Sequence, residues 1–245
     1  MNFYCFDMPD STRGLAGVEN KRFEGGRGCP LDPHHRLRGH RISYQLLLTR
    51  RPVPDVVWAW TAECFIQDHV LQWFREMGFT GYEVREVPAV RFKVRAKERD
   101  WCDVNPGLRP EDAESEQIPK LWEFVVTGWG GVAPEESGIR LVEMCPGCGV
   151  RKYTSETDVT KLVDWSQWDG SDFFRVYPLT NYLWVTEQTA RVLRKRKLRG
   201  VRVVPAAQVH AGPIPLPDYC SGSPLKYWMP DEKARAIGIP LGIYD

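Results

Sequence analysis

The segment that most constrains this chain is Cys145-Pro146-Gly147-Cys148-Gly149. A Cys-x-x-Cys spacing lets two thiolates converge on one tetrahedral ion, and the following glycine takes the positive φ that such a turn demands. Two thiolates make half of a closed structural site, which needs four ligands. The other half is sought in the Gly-, Pro- and Arg-rich stretch 8–40, which reads as a long loop in need of a staple. Gly28-Cys29-Pro30 resembles the start of a second knuckle there, with His34 and His35 close behind. Cys29 with His34, or with His35 in its place, completes a Cys/Cys/Cys/His set ahead of Cys5, Cys102 and Cys220. A redox Cys-x-x-Cys starts a helix whose dipole lowers a thiol pKa. Gly147, Gly149 and Val150-Arg151-Lys152-Tyr153 do not start one. Structural zinc ligation therefore leads, with unligated structural cysteines second and redox chemistry third.

Composition narrows the class. The formal net charge of +1 gives no bulk attraction to nucleic acid or to an anionic membrane. No stretch approaches the roughly 20 apolar residues of a membrane span. Met1-Asn2-Phe3-Tyr4-Cys5-Phe6-Asp7 lacks a basic region followed by an apolar one, so no signal peptide is expected. With seven cysteines, an odd number, the expectation is a cytoplasmic, reducing setting where metal binding or burial outweighs disulfides. Ten tryptophans favour a protein that binds another protein, because large aromatics anchor interfaces as well as cores.

Periodicity supplies the elements. Strands are expected at 42–48, 56–60, 82–87, 90–94, 121–127, 139–144 and 201–204. Phe65, His69, Leu71, Trp73, Phe74 and Met77 recur at helical spacing before Gly78 and Gly81. Thr186 caps a second helix that Gly200 is expected to end. Residues 103–119 read as an acidic loop with Glu111, Asp112, Glu114 and Glu116, and the proline-bearing tail from Pro213 as extended chain. Helix, glycine turn, strand and Val-Pro-Ala occur twice, ending at Ala89 and at Ala206. The fold expectation is one α+β domain over 1–245. Its two related helix-turn-strand halves, 41–127 and 139–210, pack around an antiparallel or mixed sheet with a zinc-knuckle-like insertion. Chance recurrence of a common unit is the alternative.

No Walker loop, Gly-x-Ser-x-Gly, His-Glu-x-x-His or Cys/His nucleophile pair is present, which points away from an enzyme. The run Arg191–Arg199 reads as a solvated helix face whose cations suit the negative end of the helix dipole. A zinc-knuckle regulator gripping nucleic acid through that run is the rival reading. Leu141-Val142-Glu143-Met144-Cys145-Pro146-Gly147-Cys148-Gly149 is followed by Leu162-Val163-Asp164, Asp172-Phe173-Phe174-Arg175, Val185-Thr186-Glu187 and Leu198-Arg199-Gly200-Val201. This order resembles the double-CxxCG motif proteins of myxobacteria, a family that includes immunity proteins against kin-discriminating swarm-inhibition toxins. The resemblance covers residues 139–207. It implies a non-catalytic cytoplasmic immunity protein that binds and occludes a cognate polymorphic or contact-dependent toxin, with zinc ligation carried over to Cys145 and Cys148. The second Cys-x-x-Cys-Gly of the family corresponds to Cys29-Pro30-Leu31-Asp32-Pro33-His34, which lacks the second cysteine. The site is then either completed by His34 or His35, or vestigial.

Overall fold

The structure, a computed structural model, describes residues 1–9, 16–33, 35–37, 40–48, 52–59, 63–92, 113–114, 118–209 and 224–244. The first half contains β1 (Phe3–Asp7), β2 (Gly17–Glu24), β3 (Arg27–Gly28), β4 (Arg36–Leu37), β5 (His40–Leu48), β6 (Val56–Trp58), β7 (Cys64–Gln67), α1 (Asp68–Glu76), β8 (Tyr82–Glu86) and β9 (Ala89–Phe92). The second contains β10 (Ala113–Glu114), β11 (Leu121–Val126), β12 (Trp129–Val132), β13 (Leu141–Met144), β14 (Arg151–Tyr153), β15 (Phe173–Tyr177), β16 (Trp184–Thr186), α2 (Glu187–Arg196), β17 (Arg202–Pro205) and α3 (Asp231–Leu241). The class is α+β with both antiparallel and mixed sheets, as the sequence predicts. The larger sheets have the orders β12-β15-β16-β1-β17, β6-β7-β11-β8 and β10-β9-β5-β2, and β13-β14 and β3-β4 form two-stranded hairpins.

One connection occurs twice. α1 carries the chain from β7 to β8, and both of these strands pair antiparallel with β11, which lies between them. α2 carries it from β16 to β17, and both pair antiparallel with β1 in the same way. The segment 139–210 therefore contains the strands and helix of the second unit but not its central strand, which comes from the chain's own beginning. Phe3, Cys5 and Phe6 of β1 are buried on both faces. That placement explains an apolar run without the alternation that marks a half-buried strand.

Both helices form for local reasons and are held by burial. α1 turns Val70, Leu71 and Phe74 inward. At the start of α2 the Thr186 side chain accepts from the Thr189 backbone N–H, Glu187 sits in the first turn, and Arg194, Lys195 and Arg196 fill the last. The helix stops earlier than the sequence suggests, because Lys197 takes a left-handed conformation at φ 54°. Gly200 instead serves the next contact. It has φ 89°, and a β-carbon there would lie 2.0 Å from the Val56 carbonyl oxygen. The Val56 N–H donates to the Arg199 carbonyl at 3.0 Å, and the Trp58 indole to the Gly200 carbonyl at 2.9 Å, so this turn joins the two units. Gly200→Ala combines backbone strain with a clash against backbone and should cost about 2–4 kcal/mol in urea unfolding. A loss below about 0.5 kcal/mol, the scale of an ordinary surface change, would mean the turn relaxes freely.

Two expectations need correction. The stretch 8–40 is not one loop, because β2 pairs antiparallel with β5 from Gly17↔Leu47 to Glu24↔His40. β2 lies at the end of its sheet, and an edge strand can carry the charged residues that hid it from the pattern. The tail is not wholly extended either. Asp231–Leu241 is helical, with Pro230 as its N-cap and Asp231 and Glu232 in its first turn, and Pro240 falls near its last turn. Proline is tolerated at helix starts, where its missing N–H would be unpaired anyway. Pro213, Pro215 and Pro217 lie outside the described residues, as does most of the acidic stretch.

Candidate metal centre

Two short hairpins build the centre. β13 and β14 run antiparallel, with a register shift between Leu141 and Glu143, and the Cys-x-x-Cys turn closes their end. Within that turn the Gly149 N–H donates to the Cys145 carbonyl and the Cys145 N–H to the Val150 carbonyl, both at 2.8 Å. Gly149 has the positive φ, 76°, that the motif predicts. The second hairpin pairs Arg27 with Leu37 and Gly28 with Arg36. Its loop is closed by Cys29 N–H donating to the His35 carbonyl and His35 N–H to the Asp32 carbonyl, each at 3.1 Å. The two loops meet at Gly147, where a β-carbon would lie 2.8 Å from Leu31 Cγ and 3.2 Å from Cys29 Sγ. A β-carbon at 147 would require the exposed Leu31 side chain to shift and would crowd Cys29 Sγ.

This contact brings one ligand atom each from Cys29, His35, Cys145 and Cys148 within 4.8 Å of one another. Cys29 Sγ is 3.6 Å from Cys145 Sγ, and Cys148 Sγ is 3.8 Å from His35 Nδ1. A tetrahedral ion with metal–sulfur bonds of roughly 2.3 Å spaces its sulfurs by roughly 3.8 Å, so the donor set and its spacing fit a metal ion. Cys145 and Cys148 are buried, while Cys29 and His35 are partly exposed. His35 is the imidazole in the group; His34, Cys102 and Cys220 lie outside the described residues. All described cysteines are free of disulfides.

Thiol chemistry separates Cys29 and Cys145 from the other described cysteines. Burial pushes the Cys29 thiol up, but the backbone N–H groups of Leu31 and Asp32 and the neighbouring thiols outweigh it and hold it below its ordinary value. The Leu31 N–H lies 3.3 Å from Cys29 Sγ. Cys145 is also lowered, chiefly by His35 and then by the Gly147 N–H. Cys148 is raised, first by burial, with the Cys29 and Cys145 thiols adding to it. Two thiols biased toward thiolate, with a third beside them, suit metal ligation. Cys5 and Cys64 are instead pushed far up by burial in the apolar interior, where a thiol packs as a small hydrophobe.

No family model matches the chain, and no curated protein matches it. Among the described residues no helix is long and apolar enough to cross a membrane. The basic run from Arg191 is largely committed within the protein. Arg191 pairs with Glu187, and Arg194 donates to the Val203 carbonyl while covering Tyr4. Arg196 lies over Trp73, and Arg199 donates to Asp55.

Two features of the centre escaped the sequence reading. Asp32 Oδ2 lies 3.4 Å from His35 Nε2. The other is β13: all four of its residues are exposed, with Leu141 at 53%, Val142 at 63% and Met144 at 53%. The clue to the first was its place in Cys29-Pro30-Leu31-Asp32. The second had none, because an apolar strand normally signals burial.

Proposed function

We propose that this chain is a non-catalytic immunity protein that binds a cognate protein toxin, and that its Cys29, His35, Cys145 and Cys148 group holds a structural zinc ion. The observation that carries the reading is β13. A strand with three large apolar side chains in solvent, beside the Cys-x-x-Cys turn, is a surface suited to a protein partner. The resemblance of residues 139–207 to the double-CxxCG proteins supports the toxin-binding role. Three cysteines and one histidine are a donor set typical of structural zinc, and a closed set leaves no position for substrate. The twice-used strand-helix-strand unit supports reading the halves as related. The rival nucleic-acid reading has less support, since four of the arginines it relies on have partners within the protein.

The test is protection. Co-expression of this chain should rescue cells from a toxin encoded beside its gene. The Leu141→Asp, Val142→Asp variant should lose at least about 2 kcal/mol of toxin binding, the scale of an interface hot spot, while retaining its zinc. Failure to protect against every neighbouring toxin sinks the immunity reading. Protection unaffected by the double variant moves the binding face away from β13.

A further inference from the structure

Asp32 stands in Cys29-Pro30-Leu31-Asp32 where a Cys-x-x-Cys turn would place its second thiol. Its carboxylate does not join the ligand group, which draws its fourth atom from His35. It faces the imidazole instead. Oδ2 lies 3.4 Å from His35 Nε2, while His35 Nδ1 lies 3.8 Å from Cys148 Sγ. The backbone reinforces this arrangement, since the His35 N–H donates to the Asp32 carbonyl at 3.1 Å and holds the two residues in one turn. A neutral imidazole carries its proton on one nitrogen and a lone pair on the other, and the partner of one decides the role of the other. With an ion bound, a carboxylate at Nε2 favours the proton there and leaves the Nδ1 lone pair, on the side of Cys148, for the metal.

We infer that Asp32 is a positioning residue for metal binding: it fixes the His35 ring in the tautomer and orientation that offer Nδ1 to the ion. The inference rests on the zinc reading above. The broken second Cys-x-x-Cys is then not a decayed half-site. The fourth ligand atom comes from His35, three residues further along the loop, and Asp32 supports it. Metal-bound histidines elsewhere rely on such carboxylate partners, whose loss weakens binding by roughly 10–100-fold. The Asp32 side chain is 38% exposed and that of His35 14%, so water competes for the contact and the lower end of that range applies.

The experiment is zinc affinity of the full chain by competition with a chromogenic chelator, for the wild type, Asp32→Ala, His35→Cys and the double variant. Asp32→Ala should weaken zinc binding about tenfold in the wild-type background and by less than about twofold in the His35→Cys background, because a thiolate has no tautomer to fix. In the zinc-loaded wild type, long-range proton–nitrogen spectra should show His35 coordinated through Nδ1 and protonated at Nε2. Equal losses in both backgrounds would show that Asp32 acts on the loop rather than on the ring and would overturn the inference. So would unchanged affinity in Asp32→Ala, or coordination through Nε2. These results leave the zinc centre standing, whereas a wild-type chain that takes up no zinc removes both readings.

Discussion

If the centre holds zinc as proposed, Cys145→Ser should release it and loosen both hairpins of the centre while the rest of the protein stays folded. Zinc content should fall from about one equivalent to below a tenth, because a closed four-ligand site that loses a thiolate loses most of its affinity. The energetic effect is smaller than in zinc-finger peptides, where the ion supplies roughly 10–16 kcal/mol and all of the folding. Here the hydrophobic clusters that hold the sheets together include none of Cys29, His35, Cys145 and Cys148. The ion would act as a cross-link between two loops distant in sequence, worth about 2–4 kcal/mol by analogy with a disulfide. For a chain of this size that corresponds to a thermal midpoint lower by about 4–8 °C. Hydrogen exchange should show protection lost at 27–37 and 141–153 but kept in β11 and β1. Uniform loss of protection would mean that the centre nucleates the whole fold.

Phe173→Ala should produce the largest stability loss of any change argued from this structure, about 3–5 kcal/mol in chemical unfolding. Phe173 lies in β15 with its side chain fully buried. Its ring is 5.7 Å from that of Phe6 in β1, 5.3 Å from Phe74 in α1, 6.0 Å from Tyr82 in β8 and 5.0 Å from Phe124 in β11. It therefore joins the five-stranded sheet to the four-stranded sheet that carries α1. Truncation opens a cavity between elements that cannot close together without moving a sheet. Ile239→Ala is the natural control, since Ile239 is 57% exposed on α3 and its loss should stay within about 0.5 kcal/mol. A loss below about 1 kcal/mol for Phe173→Ala would show that the aromatic cluster collapses around the gap and is not the joint between the sheets.

Much of the architecture is legible in the sequence wherever a few neighbouring residues decide the outcome. The Cys-x-x-Cys-Gly turn is one such place, because sulfur convergence and the positive φ of Gly149 are settled within five residues. α1 and α2 are others. Their apolar spacing and the Thr186 cap act over a turn or two of helix, so their existence could be read and their ends could be read only approximately. The tertiary structure decided what depends on distant chain. β1 became a central strand because segments nearly 200 residues away pair with both of its edges. β2 was recognisable only from its pairing with β5.

The centre divides along the same line. Two of its candidate ligands, Cys145 and Cys148, could be singled out from the sequence alone, because a Cys-x-x-Cys spacing lets both sulfurs converge on one point. The choice of histidine could not. His34 and His35 are adjacent and chemically identical, and what brings His35 to the thiols is the register of the β3–β4 hairpin, Arg27 opposite Leu37, together with the Gly147 contact that lets the two loops touch. The approach of the two loops joins residues more than a hundred positions apart, Cys29 to Cys145 and His35 to Cys148, and no local pattern encodes it.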